Sequence, residues 1–307
     1  MATVIRQGMA IAQQESWELP AQKPLLVRIS RPWLQNPAGL LGLIVVAAFI
    51  VLGIIGPYIA PYDPRGIDAG AQYASPSLEH PFGATKLGQD IYSRILAGAR
   101  LSLTFGVAVM VFGFLPGTVL GIASGYFGRW VDYLIQRSGE AWAAIPQLPI
   151  LFIVIAAIGP GLDAVVIVIA IGALFGGSRL LRVVALVEKH KEYVFAARAV
   201  GATEWGILSR YIIPNIMPFI LVGVSSVFAI AIIAEATLSF LGLGAQTGTP
   251  GWGGDLASNQ TDAIQRPLLV LWPGLAISIV VLGFNLLGDT LRDILDPRLR
   301  GSTGPKH

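Results

Sequence analysis

The chain has 307 residues, of which 54% are hydrophobic and only 13% charged, with a formal net charge of +3. A soluble globular domain carries about 25% charged residues, so this composition excludes one, and the absence of cysteine excludes disulfides, thiolate metal sites and cysteine nucleophiles. No segment has the basic density or aromatic interleaving of a nucleic-acid surface, so nucleic acid is not an expected partner.

Residues 1–36 are mixed polar, with Arg6, Glu15, Glu18, Lys23, Arg28 and Arg31, and read as a cytoplasmic tail rather than a cleavable signal. The first apolar run starts at Pro37 and reaches about Ile59 without a charge, long enough to cross the bilayer core. Asn36 and Pro37 suit its start, as a cap and a first-turn residue. A second uncharged run covers Leu101 to Phe127. The third extends from about Leu134 to Ile158, admitting Arg137 and Glu140 near its entrance. The fourth follows Gly159-Pro160-Gly161 and runs from Asp163 to about Leu181, the fifth from Tyr211 to about Ala234, and the sixth from Pro267 to Gly288. The pattern predicts an all-α polytopic membrane protein with about six spans, the third and fourth being open to misreading as one re-entrant hairpin. Its expected organisation is a tail (1–36), a first span with an outer segment (37–100), a transmembrane core (101–290) and a cytoplasmic tail (291–307).

Basic residues near span ends set orientation. With a cytoplasmic N-terminus and alternating spans, sixteen of the 21 basic residues fall inside, and only Arg65, Lys86, Arg94, Arg100 and Arg266 fall outside. Both termini are therefore expected inside. Residues 60–100 and 235–266 are the long outer stretches, and 182–210 the inner one.

The inner stretch contains Glu192-Tyr193-Val194-Phe195-Ala196-Ala197-Arg198-Ala199-Val200-Gly201-Ala202-Thr203. It reads as a short helix, a glycine break, and a second helix capped by Thr203, because glycine reaches left-handed angles without steric cost. Small Ala196 and Ala197 leave a flank that another protein's groove could approach. Such a loop also occurs as a plain connector. In the second span Gly113, Gly117, Gly121 and Gly125 repeat every four residues, which puts them on one face for close helix packing, and Pro116 is expected to kink the span. Intramembrane polar residues are candidates for pathway or gate: Ser225, Ser226, Glu235 and Asn285. Glu235 could meet a basic group of a passing solute, form a gate, or accept hydrogen bonds from the glycine-rich outer loop. Asn285 is expected to join helices, and Trp252 and Trp272 to anchor at the headgroup level.

Ala196-Ala197, Gly201 and Ile213-Pro214 resemble the EAA loop of ABC importer permeases, with Phe195 in place of the motif's leading Glu. His80-Pro81-Phe82-Gly83, Gly88, Asp90, Ser93-Arg94 and Gly98-Ala99-Arg100 resemble the outer segment before span two in dipeptide and oligopeptide importers, with departures at Ala84, Thr85 and Gln89. Residues Glu235 to Gly244, with Pro250 and Trp252-Gly253, are similar to the same family. So are Pro273-Gly274, Asn285 to Asp289, Leu291-Arg292-Asp293 and Leu295 to Arg298. The resemblance covers roughly residues 80–300 and points to the C-type permease subunit of the peptide and nickel importers.

That resemblance implies a type I ABC importer permease fold in a bacterial cell membrane. It further implies a paralogous permease, two cytoplasmic ATPases and an extracytoplasmic binding protein as partners. The ATPase-coupling residues would be Glu192, Phe195, Ala196, Ala197, Arg198, Gly201, Ala202, Thr203 and Pro214. ATP and Mg would be bound by the partner ATPases. This chain has no GxxxxGK followed by Ser or Thr, no HExxH and no GxSxG, and its three histidines, His80, His190 and His307, are scattered. No cofactor or metal is therefore expected in it. A self-sufficient secondary transporter would carry ionisable residues at mid-membrane, and an intramembrane protease would pair a Ser with a His. The spans offer neither. Peptide is the expected cargo, with nickel chelates and oligosaccharides as alternatives within the same permease class.

Overall fold

A computed structural model describes residues 36–67, 71–246 and 248–295; most of the two expected tails, and the Asp296-Pro297-Arg298 motif, lie outside the described residues. Their regular elements are helices, beside turns and one isolated β-bridge between Ala84 and Asp90. Span one is α1, Pro37–Ile59. Span two joins α2, Ile91–Val109, to α3, Leu115–Phe127. Span three is a broken pair, α4, Arg129–Ala143, and α5, Gln147–Ile158, bent by 88°. Span four is α6, Leu162–Glu188. The inner loop holds α7, Glu192–Ala199, and α8, Glu204–Ile207. Span five continues from α8 into α9, Ile213–Phe240. An outer helix α10, Trp252–Asn259, precedes span six, α11, Leu268–Leu295.

The four-residue glycine repeat determines the core register. Gly113, Gly117, Gly121 and Gly125 lie against the backbones of Ala170, Leu174, Ser178 and Arg182, themselves four apart; a Cβ on Gly121 would stand 2.5 Å from the Ser178 carbonyl oxygen. Both series rise together, so spans two and four are parallel. Small residues matter here because lipid gives helices no hydrophobic reason to associate, leaving backbone-close van der Waals contact to hold them. Elsewhere the pairs run in opposite directions: Gly39 with Thr290 and Gly42 with Leu287 join spans one and six, and Gly53 with Leu103 and Gly56 with Leu96 join spans one and two.

Parallel spans two and four decide the role of the segment between them. The 57-residue offset puts Leu162 level with Phe105, and Phe127 lies 22 residues, or about 33 Å, beyond that level. Residues 129–158 must therefore climb back across the whole membrane. They form a broken span, not a re-entrant hairpin, and six spans result. The inner loop, Ala38 and Leu295 lie on one side, and residues 60–67, 71–90, 241–246 and 248–267 on the other.

Two spans contain π-helical turns just before a proline. Met110–Phe114 precedes Pro116, with Leu115 N–H donating to Met110 O, and Leu208–Ile212 precedes Pro214, with Ile213 N–H donating to Leu208 O. A proline ring crowds the carbonyl four residues earlier and donates no hydrogen bond. The wider turn moves that carbonyl aside, so each helix continues as a π-bulge.

Span two begins at Ile91, ten residues before its uncharged run, because its first three turns serve the outer segment. Asp90 caps it, accepting from Ser93 N (2.8 Å) and Ser93 Oγ (2.6 Å), and its other oxygen meets His80 Nδ1 at 3.0 Å. Arg94 reaches Asp255 of α10 (2.5 and 2.8 Å) and Pro64 O (2.9 Å). Phe82 stacks on Trp272 with centroids 4.0 Å apart. Trp252 is 3% exposed and donates from Nε1 to Ile95 O at 3.1 Å, so it packs inside the protein and is not the headgroup anchor expected of it. The His80-to-Arg100 motif is thus the framework that ties the outer segment and α10 to span two.

Candidate functional site

The inner loop is built as a lever on the end of span five. Helix α7 stops where Val200 gives way to Gly201 at φ +84, with Ala202 N–H donating to Ala197 O and Gly201 N–H to Arg198 O, both at 3.0 Å. This double bond pattern is a Schellman motif, which needs the left-handed residue that glycine supplies. Thr203 then caps α8, its Oγ1 accepting from Gly206 N at 3.1 Å. Helix α8 runs through the π-turn and Pro214 into span five, so residues 204–240 are one continuous rod.

Spacing sorts the faces of α7. Val194 and Ala197 are buried against Leu181, Ile207, Leu208 and Ile212. Ala197 therefore faces the chain's own core and contributes nothing to an outer flank, which corrects the expectation for it: it lies three residues beyond Val194, on the same side. The outward face carries Glu192, Phe195, Ala196 and Ala199, continued by Val200 and, beyond the break, Trp205. Phe195, Val200 and Trp205 are 52%, 85% and 74% exposed.

Polar contacts tie this lever to the inner ends of two more spans. Tyr126 of span two donates its hydroxyl to Glu204, while the Arg198 guanidinium stands 5.9 Å over the Tyr126 ring and 3.5 Å from Glu204. Tyr193 donates to Glu188 at the end of span four, and Lys191 pairs with the same carboxylate at 2.7 Å. Burial, with the neighbouring Glu188 carboxylate, pushes the Tyr193 hydroxyl up, so it remains a donor. Nearby, Asp132 is held by Arg182 (2.5 and 2.7 Å) and Ser124 (2.6 Å), linking spans two, three and four. Sequence reasoning missed Tyr126, Glu188, Tyr193 and Glu204. The available signal was their position: charged or phenolic groups bordering apolar spans in a chain with few charges.

The intramembrane candidates separate on inspection. Glu235 is 1% exposed and accepts from Ser102 Oγ (3.1 Å) of span two and Ser239 Oγ (2.8 Å) one turn on. It neither opens to a pathway nor accepts from the glycine-rich outer loop; it pins span five to span two. Ser225 is buried against Gly288, and Ser226 is exposed; each donates back to the carbonyl four residues earlier. Asn285 is exposed on α11 and does not join helices within the described residues. Among the described residues no group of acidic, histidine or cysteine side chains could hold a metal.

Comparison with known proteins agrees with this architecture. Residues 117–301 match the family of binding-protein-dependent transport system inner membrane components, and residues 25–76 match the N-terminal transmembrane domain of oligopeptide transport permease C. The chain is 37% identical to the dipeptide transport system permease protein DppC of Alkalihalophilus pseudofirmus, over 87% of this chain and 88% of that one. It is 39% identical to the glutathione transport system permease protein GsiD of Pectobacterium atrosepticum, over 89% and 90%. Among solved structures, an inward-facing MetNI methionine ABC transporter chain superposes with a TM-score of 0.53 at 18% identity, over 66% of this chain and 96% of that one, a likeness of fold. The chain belongs to the binding-protein-dependent inner membrane permeases of ABC transporters, in the branch that carries the permease C N-terminal domain.

Proposed function

We propose that this chain is the C-type permease of a peptide importer, forming half of a translocation pathway with a paralogous permease. One of two cytoplasmic ATPases docks on α7, and an extracytoplasmic binding protein delivers peptide to the side of α10. Both termini are cytoplasmic, as the distribution of basic residues favours. ATP and Mg sit in the ATPases, and this chain contributes motion instead of chemistry.

The observation that carries this reading is the continuity of the inner loop with span five. A push on Phe195, Val200 and Trp205 acts on a helix rooted in residues 204–240 and braced at Tyr126 and Glu188. Moving it moves the contacts that span five makes with spans two and four, as alternating access requires. Phe195 gives the loop an apolar contact where the related motif has a carboxylate, so an apolar patch in the ATPase groove is its complement. Dipeptide and glutathione relatives support a peptide cargo. The test is uptake of a labelled dipeptide by proteoliposomes containing both permeases and both ATPases. Uptake that needs ATP and the binding protein is the expected result, and uptake of nickel chelate or oligosaccharide instead would replace the cargo.

A further inference from the structure

Span three breaks at mid-membrane with its backbone uncovered. Gly172 of span four marks the level, because Trp142 Nε1 and Gln147 Nε2 lie 3.9 and 4.0 Å from where its Cβ would stand. Gly172 is ten residues from Leu162 and sixteen from Glu188, or about 15 and 24 Å from the ends of that helix. Residues 143–149 are all exposed. The carbonyls of Ala144 and Ile145, outside either helix, accept no hydrogen bond from the described residues, and Pro146 and Pro149 have no N–H to offer.

Lipid cannot cover such an elbow, since each unsatisfied backbone group in hydrocarbon costs several kcal/mol and irregular backbone persists at that depth only inside protein or beside water. Span one shows the contrast: its exposed Leu41, Ile44, Val51 and Ile54 stand on an unbroken helix. A neighbouring helix would be a poor cover too, because its own backbone N–H groups are already used internally. Water and the main chain of a peptide both bring donors. No charged residue lies between Glu140 and Asp163. A charge-free surface favours neither acidic nor basic cargo, leaving main-chain N–H groups as what all cargo shares. Ile150, Leu151, Val154 and Ile155 of α5 share one apolar cluster with Ala231 and Ala234 of span five, the same rod that α7 drives.

We infer that the elbow of span three lines the translocation pathway at mid-membrane and takes main-chain N–H groups of the passing peptide on the Ala144 and Ile145 carbonyls and the Gln147 side-chain amide. This rests on the peptide-permease reading above. The chain has no native cysteine, so Gln147→Cys, Leu148→Cys and, as a lipid-facing control, Ile54→Cys are introduced singly into the assembled, reconstituted complex. A membrane-impermeant maleimide is expected to label the two elbow positions about tenfold faster than the control, and a transported dipeptide, supplied with its binding protein and ATP, to slow that labelling several-fold. Slow labelling of all three positions in every nucleotide state would put the elbow against lipid or the second permease and overturn the inference. Fast labelling that the dipeptide leaves unchanged would remove the peptide contact. Dipeptide uptake by the unsubstituted complex is measured alongside, so absent uptake condemns the cargo reading, whereas uptake without elbow labelling condemns this inference alone.

Discussion

The ring of Phe114, set by the π-turn of span two, fills the place where a side chain on Gly223 of span five would stand. The same ring lies 3.0 Å from a Cβ built on Gly177 of span four. Phe114 is 1% exposed, so one aromatic knob in a socket of two glycines fixes the crossing of three spans. Gly223→Ala should destabilise the complex by about 1–3 kcal/mol through overpacking, and Phe114→Ala by about 3–5 kcal/mol through the cavity it leaves. Phe114→Leu combined with Gly223→Ala should cost less than the sum of Phe114→Leu alone and Gly223→Ala alone. Thermal unfolding in detergent measures all four; strict additivity would mean the ring and the glycine do not share the space.

The glycine repeat makes a sharper contrast. Gly117 lies on the backbone of Leu174, whereas nothing approaches a Cβ on Gly176 of the facing helix. Gly117→Ala should therefore lower stability by about 1–3 kcal/mol, while Gly176→Ala should be neutral or stabilise by up to about 1 kcal/mol from helix propensity. Equal effects of the two substitutions, read as detergent melting temperatures, would contradict the close parallel packing of spans two and four.

Arg94 and Asp255, 5% and 6% exposed, hold α10 to span two. Removing one partner of a buried pair leaves a bare charge, at a cost of about 3–5 kcal/mol. Arg94→Met should accordingly free the outer segment and speed proteolysis within residues 242–250. Arg94→Met with Asp255→Leu should restore much of the protection. Limited proteolysis of the three forms in detergent would show it, and unchanged cleavage in Arg94→Met would mean the pair holds nothing in place.

Relative sidedness follows from the helix register, and the absolute direction proposed from the basic residues is open to test. Ala71 is exposed on the side opposite the inner loop. Ala71→Cys should react with an impermeant maleimide in right-side-out vesicles and not in inverted ones. Labelling only from the cytoplasmic side would reverse the topology.

Span number and the glycine face were legible in the sequence because both depend on local composition and a period of four. The faces of α7 were half legible: Gly201 announced the break, but Ala196 and Ala197 look alike until Val194 shows which of them turns inward. Glu235 misled because a carboxylate in a span suggests cargo, while its partners, Ser102 and Ser239, sit 133 residues away and one turn on. Trp252 misled in the same way, since tryptophan suits both a headgroup layer and a buried bond to Ile95. The elbow of span three was hidden inside an apolar run, where Pro146 and Pro149 were its only marks.

Coupling through α7 is tested most directly by the ratio of peptide taken up to ATP hydrolysed in the Gly201→Val complex. Beyond its two chain neighbours, no atom lies within 4 Å of a Cβ at Gly201, so a side chain there enters open space. Its cost is confined to a φ of +84, which a β-branched residue resists by roughly 1 kcal/mol or more. The expected result is a complex that assembles and hydrolyses ATP while uptake per ATP falls several-fold, because the turned helix offers Phe195 and Ala196 at the wrong angle. Phe195→Ala should weaken retention of the ATPases more than Phe195→Leu does. Uptake per ATP unchanged in Gly201→Val, with the ATPases retained equally by both Phe195 variants, would make this loop a passive connector and contradict the coupling role assigned to it.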